Sequence, residues 1–379
     1  IDQISPLFLK QFKHLLSNPI ARLCNLSFEQ GTFPKPFKQS IVTPIHKAGH
    51  KNVPNNYRPI SLLSTISEII KKIANKRLTT YLENNNFISE KQYGFRHGRS
   101  TDDAVLKLTT SLTKHVDKCE KVVGVFLDLQ KAFDTVSVPI LLARLEAMGI
   151  RGKPHSWFKD YLHQRSQCVR IGDLRSDEAS CSYGIPQGSN LGPSLFLTYI
   201  NELCQLNIEG AEAIMIADDT VLLFHGKTWD LTRELVEKGL SVVSAWLEDS
   251  LLSLNVNKTK YICFAKSKTS LPSDKFLIKS HTYPCNREES VCSAKCNCMQ
   301  LKRVDSIKYL GVFIDEGLKW HRNLGTNCPR KKIDLHLQEP KISELQHVIL
   351  KILRCLTKTR RTARRHFYRH LWTTRFLRS

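Results

Sequence analysis

The sequence lacks any apolar run close to the roughly 18 residues that a membrane-spanning helix requires. A recognisable secretory signal sequence is also missing. These two absences exclude a membrane-embedded protein from the expected classes and argue against export into an oxidising compartment. The 12 cysteines are therefore predicted to be mainly reduced thiols rather than a disulfide framework.

Acidic residues are scarce relative to basic ones. The chain has 35 Asp and Glu against 57 Lys and Arg, which gives a formal net charge of +22. Such an excess favours a polyanionic partner, nucleic acid first. The segment 351–379 has ten Lys and Arg and no acid, so it is predicted to be disordered or weakly helical and to add salt-dependent affinity for nucleic acid. Because the chain begins with Ile1 rather than Met, we expect a fragment of a longer protein.

Three of the few acids occur at the ends of short apolar runs. Asp218 and Asp219 interrupt the β-branched stretch 213–224, which predicts a hairpin with the two acids at its tip. Asp128 ends a third apolar strand that begins at Val122. If these strands are neighbours, three carboxylates meet, and such all-oxygen ligands suit two Mg²⁺ or Mn²⁺ ions. The alternative is a solvated Asp-Asp turn, because turns favour Asp.

Apolar spacing predicts several further elements around these strands. Strands are expected over 41–47 and 306–315, and helices are expected over 60–82, 102–115, 139–149 and 231–252. A further helix is expected after the glycine-rich stretch 184–194, where Leu195, Phe196, Tyr199, Ile200 and Leu203 recur at helical spacing.

Six motifs in a fixed order carry a resemblance to a known family. They are Asn56-Tyr-Arg58-Pro-Ile-Ser-Leu-Leu63, Gln92-Tyr-Gly-Phe-Arg96-His-Gly-Arg-Ser-Thr101, Phe126-Leu-Asp128-Leu-Gln-Lys-Ala-Phe133-Asp134, Gly184-Ile-Pro-Gln187-Gly188-Ser189, Ala217-Asp218-Asp219 and Lys308-Tyr-Leu-Gly-Val312. The chain resembles a reverse transcriptase of the non-LTR retrotransposon type, and jockey-like animal elements most, from about Gly31 to Trp320.

The resemblance implies an α+β right-hand polymerase with fingers and a palm of antiparallel sheet and packed helices. After Trp320 the family continues into a helical thumb, but residues 323–340 have no clear counterpart, so an incomplete or degraded thumb is expected. Its implied reaction is RNA-directed DNA synthesis: two metal ions assist transfer of a deoxynucleotide to a primer 3′-hydroxyl. RNA template, DNA primer and dNTPs are the implied partners, and no membrane is expected. Two alternatives stay open: an inactive retroelement relic that only binds nucleic acid, and a different two-metal enzyme such as a nucleotide cyclase.

The same resemblance divides the chain into five expected regions within a reverse transcriptase domain of about 31–315. They are a fingers region 1–121, a palm 122–265, a Cys/His insertion 266–300, a primer-grip strand region 301–320 and a basic, divergent C-terminal segment 321–379. An endonuclease domain is expected upstream in such elements and is absent from this sequence. Cytoplasm and nucleus are the expected locations of the element.

Several further site residues follow from the resemblance. Asp128, Asp218 and Asp219 are the implied catalytic metal ligands. The implied nucleotide-binding residues are Lys47, Arg58, Phe133, Gln187, Gly188 and Lys258, and the implied primer grip is Tyr309, Leu310 and Gly311. An ammonium and a guanidinium suit a triphosphate, and Lys258 is a candidate acid for the departing pyrophosphate. The alternatives are a solvated loop Lys47, a core Phe133 and a surface Lys258.

Three regions depart from the family pattern or stay ambiguous. Ile216 occupies a position where the family commonly has Tyr or Phe, which alters packing near the primer end. The loop 94–101 is predicted to contact a phosphate backbone through its amides and guanidiniums. A structural zinc site is one interpretation of the Cys/His insertion and reduced thiols are the other, because the spacing matches no standard finger; the residues concerned are His281, Cys285, Cys292, Cys296 and Cys298.

Overall fold

The computed structural model describes residues 4–280 and 298–318. Its helices are α1 Pro6–Gln11, α2 Lys13–Gln30, α3 Thr65–Asn84, α4 Thr101–Asp117, α5 Val138–Ala147, α6 Gly152–Leu162, α7 Gly192–Gln205 and α8 Trp229–Asp249. Its strands are β1 Gln39–His46, β2 Tyr57–Leu62, β3 Lys121–Leu127, β4 Arg165–Ile171, β5 Leu174–Arg175, β6 Ala179–Cys181, β7 Ala211–Ile216, β8 Asp219–Gly226, β9 Lys260–Phe264, β10 Lys279–Ser280, β11 Met299–Gln300, β12 Lys302–Arg303, β13 Ser306–Tyr309 and β14 Val312–Asp315. Short 3₁₀ turns cover Lys35–Lys38, Pro54–Asn56 and Lys268–Ser270.

The central sheet has the strand order β12-β9-β3-β8-β7. Strand β3 pairs antiparallel with both β8 and β9, and β7 pairs antiparallel with β8. Only the short edge strand β12 is parallel to its neighbour in this sheet. The apolar run of β3 is buried from Val122 to Leu127, because helices cover the sheet on both faces.

Side chains of β3 alternate between two apolar layers. Val122 and Phe126 belong to the layer formed with α4, which packs on β3 and β7. Val123 and Val125 belong to the larger layer on the opposite face, formed with α7 and α8. This period of two is the strand geometry that the apolar run allows. The two layers together fix the strand ends at which Asp128 and Asp219 lie.

A second sheet has the order β2-β1-β4-β5, with β6 paired to β4. Strand β1 is antiparallel to β2 and parallel to β4. The predicted strand over 41–47 is confirmed, since β1 spans Gln39–His46. The predicted helix over 60–82 is wrong at its start, because Ile60 and Leu62 pair with β1 and α3 begins only at Thr65.

Two further regions differ from the sequence-based boundaries. Residues 165–181, expected within the palm, form strands of the β1–β2 sheet instead. Residues 306–315, expected as one strand, form the β13–β14 hairpin, in which Tyr309 pairs with Val312. Leu310 and Gly311 between them have φ of 51° and 91°. A left-handed turn of this kind reverses the chain, which apolar periodicity alone does not signal.

The described residues test two predictions, one about the cysteines and one about membrane-spanning helices. Cys24, Cys119, Cys168, Cys181, Cys204 and Cys263 are free thiols, as predicted. Cys298 is disulfide-bonded, which contradicts the expectation of a reduced thiol at this position. Among the described residues, none of the helices combines the length and the hydropathy that crossing a bilayer demands.

Candidate active site

The β7–β8 hairpin presents two acids at its tip, as the sequence predicts. Ile216 pairs with Asp219, so Ala217 and Asp218 form the two-residue turn. Ala217 has a φ of 54°, in the left-handed region that residues with a Cβ rarely adopt. Ile216, which replaces the aromatic residue expected by resemblance, is half-buried and packs against the apolar layer of α4. The geometry of this turn therefore needs support from neighbouring groups.

Gln92 supplies that support, and the sequence analysis did not identify it as a site residue. Its side-chain Oε1 accepts hydrogen bonds from the backbone N–H groups of Gly94 and Ala217, each at 2.8 Å. The Tyr93 N–H also donates to the Met215 carbonyl at 2.8 Å, which places the segment along β7. A Cβ at Gly94 would lie 2.5 Å from the Ala217 nitrogen. Only glycine permits this approach, and the Gln92-Tyr-Gly94 motif was its one signal in the sequence.

Replacing Gln92 by Leu is expected to lower kcat for primer extension about tenfold or more. The variant leaves two buried N–H groups without an acceptor, at a cost of about 1–3 kcal/mol each, and releases the turn that carries Asp218. Steady-state primer extension and thermal unfolding of both proteins measure the effect. Gln39→Leu is the matched control, because Gln39 is an exposed residue at the start of β1. A Gln92→Leu enzyme with wild-type kcat would contradict this role.

Asp128 lies beside the hairpin tip. In the β3–β8 register Leu127 pairs with Thr220, so the next residue on each strand brings Asp128 and Asp219 to the same edge. The Asp128 N–H donates to the Thr259 hydroxyl at 3.2 Å, and its carbonyl accepts from the Asn255 N–H at 2.7 Å. The motif 255–259 thus holds the backbone of Asp128 in place.

The three carboxylates are electrostatically coupled. Burial, together with the Asp128 charge, raises the pKa of Asp218. Burial, followed by the charges of Asp218 and Asp128, raises the pKa of Asp219 to about 6, even though part of its side chain is exposed to solvent. Only Lys47 acts in the opposite direction on both. The three carboxylates therefore form an all-oxygen donor set with an excess of negative charge, which fits hard divalent cations.

Lys47 approaches the acids from the β1–β2 hairpin. Its charge acts on both Asp218 and Asp219, although Lys47 is exposed and Asp218 is 171 residues further along the chain. The Lys47 N–H donates to the Asn56 carbonyl at 2.8 Å, which continues the register in which Ile45 pairs with Arg58. Lys47 and Arg58 therefore lie on one face of the hairpin, since residues two apart on a strand share a face. Lys47 and Arg58 thus share one face of the hairpin, and the charge of Lys47 reaches Asp218 and Asp219.

The glycine-rich loop 184–189 packs between the two sheets. The Gln187 side-chain Nε2 donates to the Asp134 carboxylate at 2.8 Å, and the Gln187 carbonyl accepts from the Ser61 N–H at 2.9 Å. Gly188 is exposed next to Ser61. Asp134 therefore pairs with Gln187 of this loop and does not belong to the cluster of three acids.

Phe133 lies one residue before Asp134 and five after Asp128. Its ring stacks on Phe196 of α7 with a centroid distance of 4.3 Å and an interplanar angle of 18°. The side chain is half-buried at the edge of the larger apolar layer. Its carbonyl accepts from the Ile185 N–H at 2.9 Å, which ties it to the glycine-rich loop. Phe133 thus has both a packing face and an accessible face.

The β13–β14 turn also reaches the acids. Tyr309 is buried and packs edge-on against Phe126, with a centroid distance of 5.5 Å. Its hydroxyl has no hydrogen-bond partner within the described part of the chain. Burial, followed by the charge of Asp219, raises the pKa of Tyr309. Tyr309, with Leu310 and Gly311 beside it, therefore lies close to the hairpin tip.

Other predicted positions are less closely tied to the acids. Lys258 is exposed in the turn before β9, and in the described residues no ion pair joins it to the three carboxylates. The guanidinium of Arg96 is predicted to contact a phosphate backbone. In the structure it instead binds both oxygens of Glu83, at 2.8 and 2.6 Å, so it is not free for that contact. Of the predicted zinc ligands, four lie outside the described residues: His281, Cys285, Cys292 and Cys296. The fifth, Cys298, is disulfide-bonded, so its sulfur is not a free thiolate for a metal.

Comparison with known proteins identifies relatives that are similar to this chain over most of its length. A family described as "Reverse transcriptase (RNA-dependent DNA polymerase)" matches residues 45–314. The chain is 29% identical over 318 residues to "Probable RNA-directed DNA polymerase from transposon BS" of Drosophila melanogaster, covering 82% of this chain and 33% of that protein. It is 26% identical over 312 residues to "RNA-directed DNA polymerase from mobile element jockey" of Drosophila melanogaster, covering 80% and 32%. The chain therefore spans about a third of the length of these relatives.

Among solved structures, apo telomerase from Candida tropicalis is similar over 80% of this chain and 53% of that one. Its sequence identity is 10% and its TM-score is 0.49, too low a likeness to support any functional inference. The family match covers most of the described residues, including Lys47, β2, the three acids and the β13–β14 turn.

Proposed function

The chain belongs to the reverse transcriptase family, with an α+β right-hand polymerase fold, and on that premise we propose that it is the RNA-directed DNA polymerase domain of a jockey-like non-LTR retrotransposon. The proposed reaction transfers a deoxynucleotide from a dNTP to a primer 3′-hydroxyl opposite an RNA template and releases pyrophosphate. One observation carries this proposal: the carboxylates of Asp128, Asp218 and Asp219 lie together, and the charge of Lys47 acts on Asp218 and Asp219. Phosphoryl transfer needs mainly positioning and charge stabilisation, which these groups supply.

Reverse transcriptases generally use divalent metal ions, and we propose two Mg²⁺ ions, or Mn²⁺, for this chain. Asp128, Asp218 and Asp219 would hold them. Bound there, the ions supply charge neutralisation on the primer hydroxyl and on the leaving pyrophosphate. The hard oxygen donors of the three acids support this choice over softer metals. Gln92 and Thr259 would act through the protein backbone by holding the strand ends that carry the acids.

The incoming nucleotide is proposed to lie between the β1–β2 hairpin and the acids. Lys47 and Arg58, on one face of that hairpin, would bind its triphosphate, with the guanidinium able to contact two oxygens. The accessible face of Phe133 would contact the sugar. Gln187 and Gly188 would lie against the template base and the nucleotide, and Lys258 would protonate the leaving pyrophosphate. Each of these roles comes from the family motif, and the contacts described above are compatible with it.

The primer is proposed to end at the β13–β14 turn. Tyr309 is buried beside Asp219 and contributes the fixed side of the turn, while Leu310 and Gly311 would contact the primer strand. The fingers are proposed to comprise residues up to 121 together with the strands of 165–181, which complete the β1–β2 sheet. The palm comprises the remainder of 122–265, followed by the 266–300 insertion. An endonuclease domain in the longer parent protein and sites of action in cytoplasm and nucleus belong to the same proposal.

Primer extension on poly(rA)/oligo(dT) tests the proposal directly. We expect incorporation of dTTP that depends on the RNA template and on Mg²⁺ or Mn²⁺, and that stops when EDTA is added. Omission of the template is the matched control. Binding of primer-template without extension in either metal would instead identify an inactive retroelement relic, and absence of both binding and extension would reject the family function for this chain.

A further inference from the structure

A cluster of metal-binding side chains lies at the opposite end of the central sheet from the three acids. His115 is in the last turn of α4, Glu120 precedes β3, and His225 is near the end of β8. Val122 pairs with His225 in the β3–β8 register, whereas Leu127 and Thr220 pair next to the acids. At about 3.3 Å per residue, this cluster is roughly 20 Å from the catalytic end of the same strands.

The two imidazoles converge on one carboxylate. The Glu120 Oε2 lies 2.5 Å from the His115 Nδ1 and 3.1 Å from the His225 Nδ1. The two rings stack with centroids 3.8 Å apart and an interplanar angle of 22°. One ligand atom from each of the three residues falls within 4.8 Å of the others. A tetrahedral metal with bonds of 2.0–2.1 Å separates its ligand atoms by about 3.3 Å, so closing this site needs only small side-chain rotations.

A second carboxylate borders the cluster. The Glu212 Oε1 of β7 lies 3.2 Å from the His115 Nε2, and its other oxygen accepts from the Ser111 hydroxyl at 2.7 Å. Lys107 of α4 lies 3.4 Å from Glu212. Burial alone would raise the pKa of Glu212, but Ser111, His115 and Lys107 lower it to about 2.

The cluster is buried on one side only. His115 of α4 is 6% exposed, whereas Glu120 and His225 are half-buried.

We propose that His115, Glu120 and His225 form a binding site for a divalent transition metal of the zinc class, with Glu212 orienting His115. Two imidazoles and a carboxylate are a ligand set that Zn²⁺ accepts readily and that Mg²⁺ does not prefer. Because the ligands come from α4, the β3 approach and β8, the metal links the helix layer to the sheet. The site is therefore structural, and it is separate from the catalytic acids.

Zinc titration of the full-length chain tests this site, after removal of bound metal with a chelator. Isothermal titration calorimetry counts Zn²⁺ equivalents, and thermal unfolding with and without Zn²⁺ measures the stabilisation that ligand binding gives the folded state. The variants are His225→Gln and Glu120→Gln, because these two ligands are less buried than His115. His163→Gln is the matched control, because His163 is exposed and its Nδ1 contacts only the Lys159 carbonyl in the described residues.

We expect His225→Gln and Glu120→Gln each to lose one Zn²⁺ equivalent relative to wild type. We also expect Zn²⁺ to raise the Tm of wild type and of His163→Gln by at least ~3 °C more than it raises the Tm of the two ligand variants. Zinc held by other cysteines or by the catalytic acids cancels in this difference. Circular dichroism confirms folding before titration, and Glu120→Gln provides the answer if His225→Gln does not fold. Equal stoichiometry and equal Tm shifts in folded variants and wild type would overturn the site and leave only a hydrogen-bonded His-Glu network.

Discussion

Asp218→Asn is expected to reduce kcat for primer extension by at least a hundredfold while leaving primer-template affinity within a few-fold of wild type. A hundredfold loss corresponds to about 2.7 kcal/mol of transition-state stabilisation, the scale expected when one preorganised charged ligand is removed. Affinity is preserved because it comes mainly from the basic surface and its phosphate contacts. Single-turnover extension and fluorescence-anisotropy binding measure the two quantities separately.

The Tm of Asp218→Asn shows whether a loss of activity comes from unfolding of the variant. Burial and Asp128 raise the pKa of Asp218 in the folded protein. A carboxyl whose pKa is raised by folding costs stability at any pH above that pKa, because the unfolded state ionises more easily. Without metal at pH 7, Asp218→Asn should therefore unfold at the same Tm as wild type or higher. Asp230→Asn, in an exposed ion pair of α8, should alter neither activity nor Tm, and more than a tenth of wild-type activity in Asp218→Asn would refute the metal-ligand role.

The catalytic edge could be predicted from the sequence because local patterns determine it. Short apolar runs that end on acids gave strands β3, β7 and β8, and the period of two in a strand fixes which residue reaches the end. The two acids of the hairpin tip needed no tertiary information. Their proximity to Asp128 followed from one assumption, that β3 and β8 are neighbours, which the register confirms.

The support of the catalytic turn could not be predicted in the same way. The hydrogen bond from the Ala217 N–H to Gln92 joins residues 125 positions apart. A glutamine in a loop has no periodic pattern, and nothing local shows that its amide faces inward. The same holds for β4, whose parallel pairing with β1 places Ser166 beside Gln39, 127 residues away in the chain. Such pairings depend on topology rather than on local propensity.

The error at the start of α3 has a different cause. Leu62 fits a helical period with Ile66 and Ile69, but Ile60 and Leu62 also fit a strand, in which residues two apart share a face. Short apolar runs do not distinguish these cases. Pairing with β1 stabilises the strand, and Ser64 caps the helix instead by accepting from the Ser67 N–H at 3.2 Å. The tertiary partner therefore decided between two locally equivalent structures.

Phe133→Val is expected to raise ribonucleotide incorporation relative to deoxyribonucleotide incorporation by tenfold or more. Phe133 stacks one face on Phe196, which holds the ring in a fixed orientation at the edge of the apolar layer. A rigid ring against the sugar edge of the nucleotide would exclude a 2′-hydroxyl by steric clash. Valine keeps an apolar contact and opens that space. A tenfold change in the ratio corresponds to about 1.4 kcal/mol of transition-state discrimination.

The measurement is kcat/KM for UTP and for dTTP opposite an rA template, in wild type and in Phe133→Val. Phe8→Val, an exposed aromatic position of α1, is the matched control and should leave the ratio unchanged. Lost packing on Phe196 would lower Tm and would slow both nucleotides alike, so it does not alter the ratio. A variant that still incorporates dTTP with the wild-type ratio would show that Phe133 serves packing alone, because a residue that reads the sugar cannot be removed without changing the preference between the two sugars.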